Sequence, residues 1–100
     1  MMQNGYQILV VDEDPADLRF VTGCLKAEGH SVVGLLSSTA RFDVDIPASA
    51  DLKLLVTAVA MWPVSGVEVA KRMASNQPNI RVLFMSGITG RAAMGRCAIR

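Results

Sequence analysis

The sequence predicts an α/β protein with a doubly wound parallel sheet, and three observations support this fold class. The chain of 100 residues is 51% hydrophobic but only 5% aromatic, which suits one small domain, residues 1–100, with an aliphatic core. Segments with the apolar spacing of helices alternate with short aliphatic runs, which implies right-handed crossovers between parallel strands. The runs are apolar on successive residues, as expected of strands covered on both faces, and they span residues 8–11, 32–36, 52–56 and 82–85.

The helix after the first run has clear signals at both ends. Asp14 is a suitable N-cap, Pro15 suits the first helical position, and Gly29 suits the end of the helix. The apolar face between them is expected to comprise Leu18, Val21, Cys24 and Leu25.

A second helix is predicted to begin after Ser65 and to run to about Ser75, where Asn76 and Pro78 follow. Ser65 and Glu68 have the spacing of a capping box, in which the Glu68 side chain reaches back to the Ser65 amide. The buried stripe of this helix is expected to comprise Val67, Ala70, Met73 and Ala74.

Two other segments give weaker signals. Residues 37–50 contain Pro47 and little helical periodicity, so any helix there is expected to be short. Residues 91–99 are predicted to form a last helix that starts near Thr89.

Charge and targeting signals exclude several classes of protein. The net charge of +1 gives no strong attraction to polyanions or membranes, so nucleic-acid binding through Arg91, Arg96 and Arg100 is not favoured. The chain opens with no secretory signal pattern, and no apolar run approaches the roughly 18 residues of a transmembrane helix. The sequence therefore predicts a cytoplasmic protein.

Polar and small residues of interest stand where the predicted strands end. Asp12 and Glu13 close the first strand, Ala58 closes the third, and Ser86 with Gly87 closes the fourth. In doubly wound folds, ligands bind at the carboxyl ends of the strands. These positions are therefore expected to meet at one edge of the sheet.

Three stretches at these strand ends resemble the receiver domain of response regulators. The run LLVT at 54–57, followed by VAMWPVSGVE at 59–68, resembles the pattern around the family's phospho-accepting aspartate, which falls on Ala58. VVDEDP at 10–15 resembles the acidic run that holds a divalent metal. VLFMSG at 82–87 resembles the strand that ends in a phosphate-sensing Ser or Thr. The resemblance covers about residues 7–90.

The resemblance implies a flavodoxin-like receiver fold with strand order 2-1-3-4, in which the fifth strand and last helix of the family are missing. It implies that Asp12 and Glu13 are the metal pair and that Ser86 is a relict of phosphate sensing. Mg²⁺ binding is expected to be weak or absent, because Ala58 supplies neither a ligand nor an acceptor. In the family, a lysine at the end of the fifth strand pairs with the phosphoryl group. This lysine has no counterpart here, since the lysines of this chain fall elsewhere, at Lys26, Lys53 and Lys71.

The resulting hypothesis is a degenerate receiver-like domain that is not an enzyme and acts by phosphorylation-independent protein–protein interaction. The expected partners are a histidine kinase, a phosphotransfer protein or another receiver, with no nucleic acid and no membrane. Trp62 and Phe84 are candidate interface residues, because aromatic side chains dominate interface energetics. With the fourth strand at an edge, a homodimer through that strand or through the last helix is also expected.

Two alternatives stay open at this point. In the first alternative, the chain accepts a phosphoryl group after all and uses a residue near Ala58 as the acceptor. That residue would have to be Asp12 or Glu13, because strand alternation turns the adjacent Thr57 away from the position of Ala58. Otherwise the chain is a fragment or an Asp-to-Ala variant of an ordinary Mg-dependent, phospho-accepting response regulator.

Overall fold

The structure, a computed structural model, describes residues 5–41, 46 and 51–85. In this part of the chain, parallel strands form a sheet. The strands are β1 (Gln7–Asp12), β2 (Ser31–Leu36), β3 (Leu54–Ala58) and β4 (Arg81–Met85). Two helices, α1 (Pro15–Ala27) and α2 (Gly66–Asn76), connect β1 to β2 and β3 to β4. The strand order is β2-β1-β3-β4, and every neighbouring pair is parallel, so the predicted fold class and order are confirmed.

The third strand differs from its prediction in where it begins and ends. It starts at Leu54, two residues later than expected, and it extends to Ala58. Leu52 is nevertheless buried in the apolar core, which explains why it belongs to the apolar run of the sequence. The strand therefore carries Ala58 as its last residue, at the carboxyl edge of the sheet.

The two helices cover opposite faces of the sheet. Because successive strand residues point to opposite faces, the neighbours Val10 and Val11 belong to different apolar clusters. This arrangement explains why the strands read as continuous apolar runs. The cluster beneath α1 comprises Ile8, Val10, Val21 and Val56, and the cluster beneath α2 comprises Leu9, Val11, Ile46, Leu52, Leu55, Val69 and Met73.

Helix α1 begins and ends as predicted. The Asp14 carboxylate accepts the N–H of Ala16 at 2.9 Å, and Pro15 occupies the first helical position. Gly29, just past the helix, has a φ of 94°, a left-handed conformation that favours glycine. Val21 is buried, and Leu18 and Leu25 pack against the same cluster, which confirms this part of the expected face.

At the start of helix α2, one of the two hydrogen bonds of the predicted capping box is formed. The Ser65 hydroxyl accepts the N–H of Glu68 at 3.2 Å, as expected. The Glu68 carboxylate instead pairs with Nε of Arg72 at 3.4 Å, one turn along the helix, so the predicted return bond to the Ser65 amide is wrong. Both groups are well exposed, so the ion pair contributes little.

The predicted buried stripe of α2 is confirmed at Met73, which is fully buried, and at Ala70, which packs against the same cluster, but it is wrong at Val67 and Ala74. Val69 and Met73 are fully buried, whereas Val67 is 47% exposed and Ala74 is also exposed. Val69 and Met73 are four residues apart and therefore share one face of the helix, to which Val67 and Ala74 do not belong. The Gly66 N–H donates at 2.8 Å to the carbonyl of Val59, the residue after β3, which ties the start of the helix to the end of the strand.

Several predicted features lie outside the described residues. They include Ser86 and Gly87, the proposed last helix at residues 91–99, and most of residues 42–50. Within the described ranges, neither helix has the length and apolar character needed to span a membrane.

Candidate functional site

The carboxyl ends of the four strands line up at one edge of the described sheet. Asp12 of β1 pairs with Leu36 of β2, and Ala58 of β3 pairs with Met85 of β4. Between the central strands, Val11 pairs with Thr57, so Asp12 and Ala58 are the next residues on adjacent strands. The structure therefore brings together two of the positions that the sequence predicts to share a site.

Ala58 lies in a tightly enclosed place. It is 7% exposed, and the first residue of α2, Gly66, approaches its carbonyl group. A Cβ atom built on Gly66 would overlap the Ala58 carbonyl oxygen, so only glycine fits there without movement of the backbone. The methyl group of Ala58 offers no hydrogen-bonding or nucleophilic atom at the end of the strand.

Asp12 is a buried carboxylate that accepts local backbone hydrogen bonds. It is 7% exposed, and its Oδ1 accepts the N–H of Asp14 at 3.1 Å. Burial raises the pKa of Asp12 above its ordinary value, and the charges of Asp17 and Asp14 act in the same direction. Backbone N–H groups of Asp14 and Glu13 oppose this rise, and burial outweighs them.

Glu13 makes a contact that the sequence does not predict. Its side chain is exposed, yet Oε1 accepts the backbone N–H of Trp62 at 2.9 Å. The bond joins the end of β1 to the loop that follows β3, across 49 positions of sequence. One oxygen of the predicted metal-binding carboxylate is therefore engaged by a backbone amide.

Ser37, which the sequence analysis does not select, belongs to the same edge. It follows β2, is 3% exposed, and donates its hydroxyl to the Trp62 carbonyl at 2.7 Å. Its own N–H donates to the Asp12 carbonyl at 2.9 Å. The signal was available, because ligands bind at the carboxyl ends of the strands in doubly wound folds, and this rule points to the residue after β2 as it does to those after the other strands.

The predicted interface residues Trp62 and Phe84 are both exposed. Trp62 presents 73% of its surface to solvent, although both its N–H and its carbonyl are hydrogen-bonded to other strand ends. Phe84 lies on β4, at the edge of the described sheet, and pairs in register with Thr57. Their role in binding stays a prediction.

The acidic pair does not make a complete metal centre by itself. The described residues contain no group of three or more His, Cys, Asp or Glu side chains placed to hold a metal ion. Asp12 and Glu13 each spend one oxygen on a backbone N–H, and Ala58 adds no ligand between them. Their assignment as metal ligands stays a prediction.

The hydroxyl group of Thr57 is buried and hydrogen-bonded. The residue is fully buried, and its hydroxyl donates to the carbonyl of Ala58 at 3.1 Å. Leu55 packs in the cluster beneath α2 and Val56 in the cluster beneath α1, so alternation places Thr57 on the α2 side and Ala58 on the other.

Comparison with known proteins identifies the fold. No protein-family model and no curated protein sequence matches the chain. A response regulator receiver domain protein from Clostridium thermocellum is similar in structure, with a TM-score of 0.71 at 20% identity, covering 91% of this chain and 70% of that one. The chemotaxis response regulator CheY4 of Vibrio cholerae gives 0.68 at 21% identity, with 93% and 79% covered.

A third similar structure contains ligands. The response regulator TrrA of Thermotoga maritima, solved with Mg²⁺ and BeF, gives a TM-score of 0.67 at 18% identity, covering 92% of this chain and 80% of that one. TrrA has also been solved in complex with the histidine kinase ThkA. At these identities the similarity establishes the fold, which is that of response-regulator receiver domains.

Proposed function

We propose that this receiver-fold chain is a module of two-component signalling that acts by protein–protein contact and accepts no phosphoryl group. The observation that carries the proposal is Ala58. It is buried at the carboxyl end of β3, beside the last residue of β1, where the resemblance places the phospho-accepting aspartate.

The chemistry of phosphoryl transfer supports this proposal. Formation of an aspartyl phosphate requires a carboxylate oxygen to attack phosphorus while the leaving group departs with its electron pair. An alanine methyl group has no lone pair to offer. Thr57 spends its hydroxyl proton on a carbonyl, and Asp12 and Glu13 accept backbone N–H groups from elsewhere in the edge.

Mg²⁺ has a correspondingly small role in the proposed function. This ion prefers several oxygen ligands in near-octahedral geometry. Asp12 and Glu13 would hold it as a pair, without the third carboxylate that an aspartate at the position of Ala58 would add. We therefore expect binding to be weak or absent.

The proposed partners are proteins, and the proposed location is the cytoplasm. TrrA, which shares the fold, is found in complex with a histidine kinase, and this supports a kinase, a phosphotransfer protein or another receiver as the partner. The exposed rings of Trp62 and Phe84 supply apolar contact surface. A homodimer through β4 or the last helix is part of the same proposal, which gives no role to nucleic acid or to enzymatic activity.

Treatment with acetyl phosphate and Mg²⁺, followed by intact-mass measurement, tests the proposal. The natural chain should gain no phosphoryl group, whereas a phospho-accepting receiver treated in parallel should gain one. The variant Ala58→Asp introduces a carboxylate that can act as the acceptor. Ala58→Asn is its matched uncharged control. A stoichiometric, hydroxylamine-labile adduct on the natural chain would contradict the proposal.

A further inference from the structure

Strand β4 has a strand neighbour on one side only within the described residues, and that neighbour is β3. Two hydrogen bonds show which residues of β4 face it. The Arg81 N–H donates to the Lys53 carbonyl at 3.1 Å, and the Met85 carbonyl accepts the Val59 N–H at 3.2 Å. Because the backbone groups of successive residues in a strand point to opposite sides, the odd-numbered residues of β4 face β3.

The outer edge of β4 therefore presents the backbone groups of two apolar residues. Val82 and Phe84 direct their N–H and C=O groups away from β3. Phe84 is 43% exposed, and no charged residue, proline or glycine interrupts the run from Val82 to Met85. Charges, prolines and bulges are what natural edge strands use to prevent pairing with another chain, so this edge is able to pair.

The edge of β4 is complementary to a second copy of itself in antiparallel orientation. When a two-fold axis passes beside Leu83, Val82 of each copy lies opposite Phe84 of the other, and the whole of β4 is paired. The residues with outward backbone groups then meet, so Val82 and Phe84 of the other copy exchange both N–H···O bonds. Leu83 lies opposite itself as a non-hydrogen-bonded pair between them.

The side chains fit the same register. Val82 packs against the cluster beneath α2 and Leu83 against the cluster beneath α1, so alternation places Phe84 on the face of Val82. An aromatic side chain opposite a β-branched one is a favourable cross-strand pair. Arg81 lies opposite Met85, and the two arginines are four residue steps, about 14 Å, apart along the strands, beyond the Debye length at physiological salt. No like charges face each other.

The other edge of the described sheet is less suited to this contact. Gly34 lies inside β2, and a glycine in the interior of a strand weakens it. A contact from β2 of one copy to β4 of the next would also be head-to-tail and would not close. Pairing of β4 with β4 closes as a two-fold dimer.

From this geometry we infer that two copies of the chain form a homodimer by antiparallel pairing of β4 with β4 about a two-fold axis at Leu83, which joins their sheets into one. The inference rests on the proposed function, which includes a homodimer through β4 or the last helix, and it selects β4. Because the paired strands run in opposite directions, the edge that carries Ala58 in each copy points away from the other copy. The dimer therefore leaves both strand-end edges outside the contact.

Sedimentation velocity over about a hundredfold range of concentration tests the self-association. A strand of 5 residues contributes far fewer than the roughly 20–30 residues a side of a standard interface, so the dimer should be weak and should grow with concentration. In Phe84→Lys the dissociation constant should rise about tenfold or more, because the dimer would hold the new charge twice. The control is Phe20→Lys on α1, where the ring is 39% exposed, and it should dimerise like the natural chain.

Amide hydrogen exchange, measured by NMR at several concentrations, tests which backbone groups take part. The amides of Val82 and Phe84 should become more protected as the concentration rises. The amide of Leu83 faces β3, so its protection should not depend on concentration. Protected amides of the buried residues Leu9 and Val56 report that each variant remains folded.

The register is tested on the natural chain without any substitution. In a mixture of isotope-labelled and unlabelled chains, an isotope-filtered nuclear Overhauser experiment should detect contact between the Leu83 Hα atoms of two copies. The Cα atoms of a non-hydrogen-bonded antiparallel pair are only about 4.5 Å apart, which brings their Hα atoms together.

Three results would overturn the inference. The first is a natural chain that stays monomeric over the whole concentration range. The second is a dimer without the contact between Leu83 residues, which would place the interface elsewhere. The third is protection of the Val82 and Phe84 amides that does not depend on concentration, which would mean that another segment of the same chain covers the edge. None of these results involves phosphoryl labelling, so loss of this dimer and a phosphorylated natural chain are distinguishable failures.

Discussion

The carbonyl oxygen of Ala58 occupies the space that a Cβ atom on Gly66 would need. The last residue of β3 and the first residue of α2 are therefore in direct backbone contact, although the loop of residues 59–65 separates them. The N–H of Gly66 donates to the carbonyl of Val59 in the same contact. This close approach fixes the helix against the end of the strand.

Gly66→Ala is expected to destabilise the fold by about 2 kcal/mol or more, because the obstructing atom is backbone and not a movable side chain. Urea unfolding followed by circular dichroism measures the change. The matched control is Gly23→Ala in α1, where a Cβ meets nothing within 4 Å. That variant should gain roughly 0.5–1 kcal/mol from helix propensity. Equal effects of the two substitutions would show that the contact with Ala58 is unimportant.

Asp12→Asn is expected to stabilise the chain at neutral pH. Burial raises the pKa of Asp12 in the folded state, so the folded protein binds this proton more tightly than the unfolded chain does. Its contribution to the free energy of unfolding is therefore present at low pH and is lost as pH rises through the interval between the unfolded and folded pKa values. Asn stays neutral and keeps an oxygen for the Asp14 N–H.

Unfolding of Asp12→Asn and of the natural chain at several pH values checks this sign. The stability advantage of the variant should be small below the ordinary carboxyl range and should grow as pH rises, reaching a plateau above the folded-state pKa. An advantage that is the same at every pH would contradict the assignment of the effect to burial of the charge.

Ala58→Asp should convert the strand edge into a stronger divalent-cation site. The new carboxylate would stand next to Asp12 on the adjacent strand, and three acidic residues would then be available. Without metal, the added buried charge should lower the melting temperature, and Mg²⁺ should recover it by mass action. Thermal unfolding with and without Mg²⁺ measures both effects. Ala58→Asn should show no recovery, and a Mg²⁺ shift of similar size in the natural chain would contradict this account.

The rotation of α2 gives a prediction for two valines that differ by one half-turn. Val69→Ala should cost about 2 kcal/mol, because the side chain is fully buried in the cluster beneath the helix. Val67→Ala should change stability by less than about 0.5 kcal/mol, because that side chain is largely exposed. Urea midpoints of the two variants make the comparison, and a reversed order would restore the stripe expected from the sequence.

The features that local sequence patterns determine were predictable. Asp14 and Pro15 act within one turn of each other, so the start of α1 follows from neighbouring residues. Which residues of α2 are buried was harder to predict, because Val67 and Val69 are both apolar and residue type alone does not decide which of them faces the sheet.

The candidate site also combines features that the sequence predicts with features that it does not. The position of Ala58 beside Asp12 follows from the order and length of the strands, which the apolar runs indicate. The bond from Ser37 to Trp62 joins residues 25 positions apart and depends on where a loop returns in space. Pattern and spacing alone carry no information about such a contact.

The central place of β1 in the sheet has a consequence for synthesis of the chain. Ile8 pairs with Val32 on one side and with Leu54 on the other, so the first of the described strands to leave the ribosome has both of its partners later in the sequence. One side of β1 stays unpaired until β3 has emerged, although α1 and β2 can already pack against the strand, since parallel pairing with each neighbour requires a completed crossover. A nascent chain halted between β2 and β3 should therefore expose this side of β1 to chaperones, whereas one halted beyond β3 should bury it.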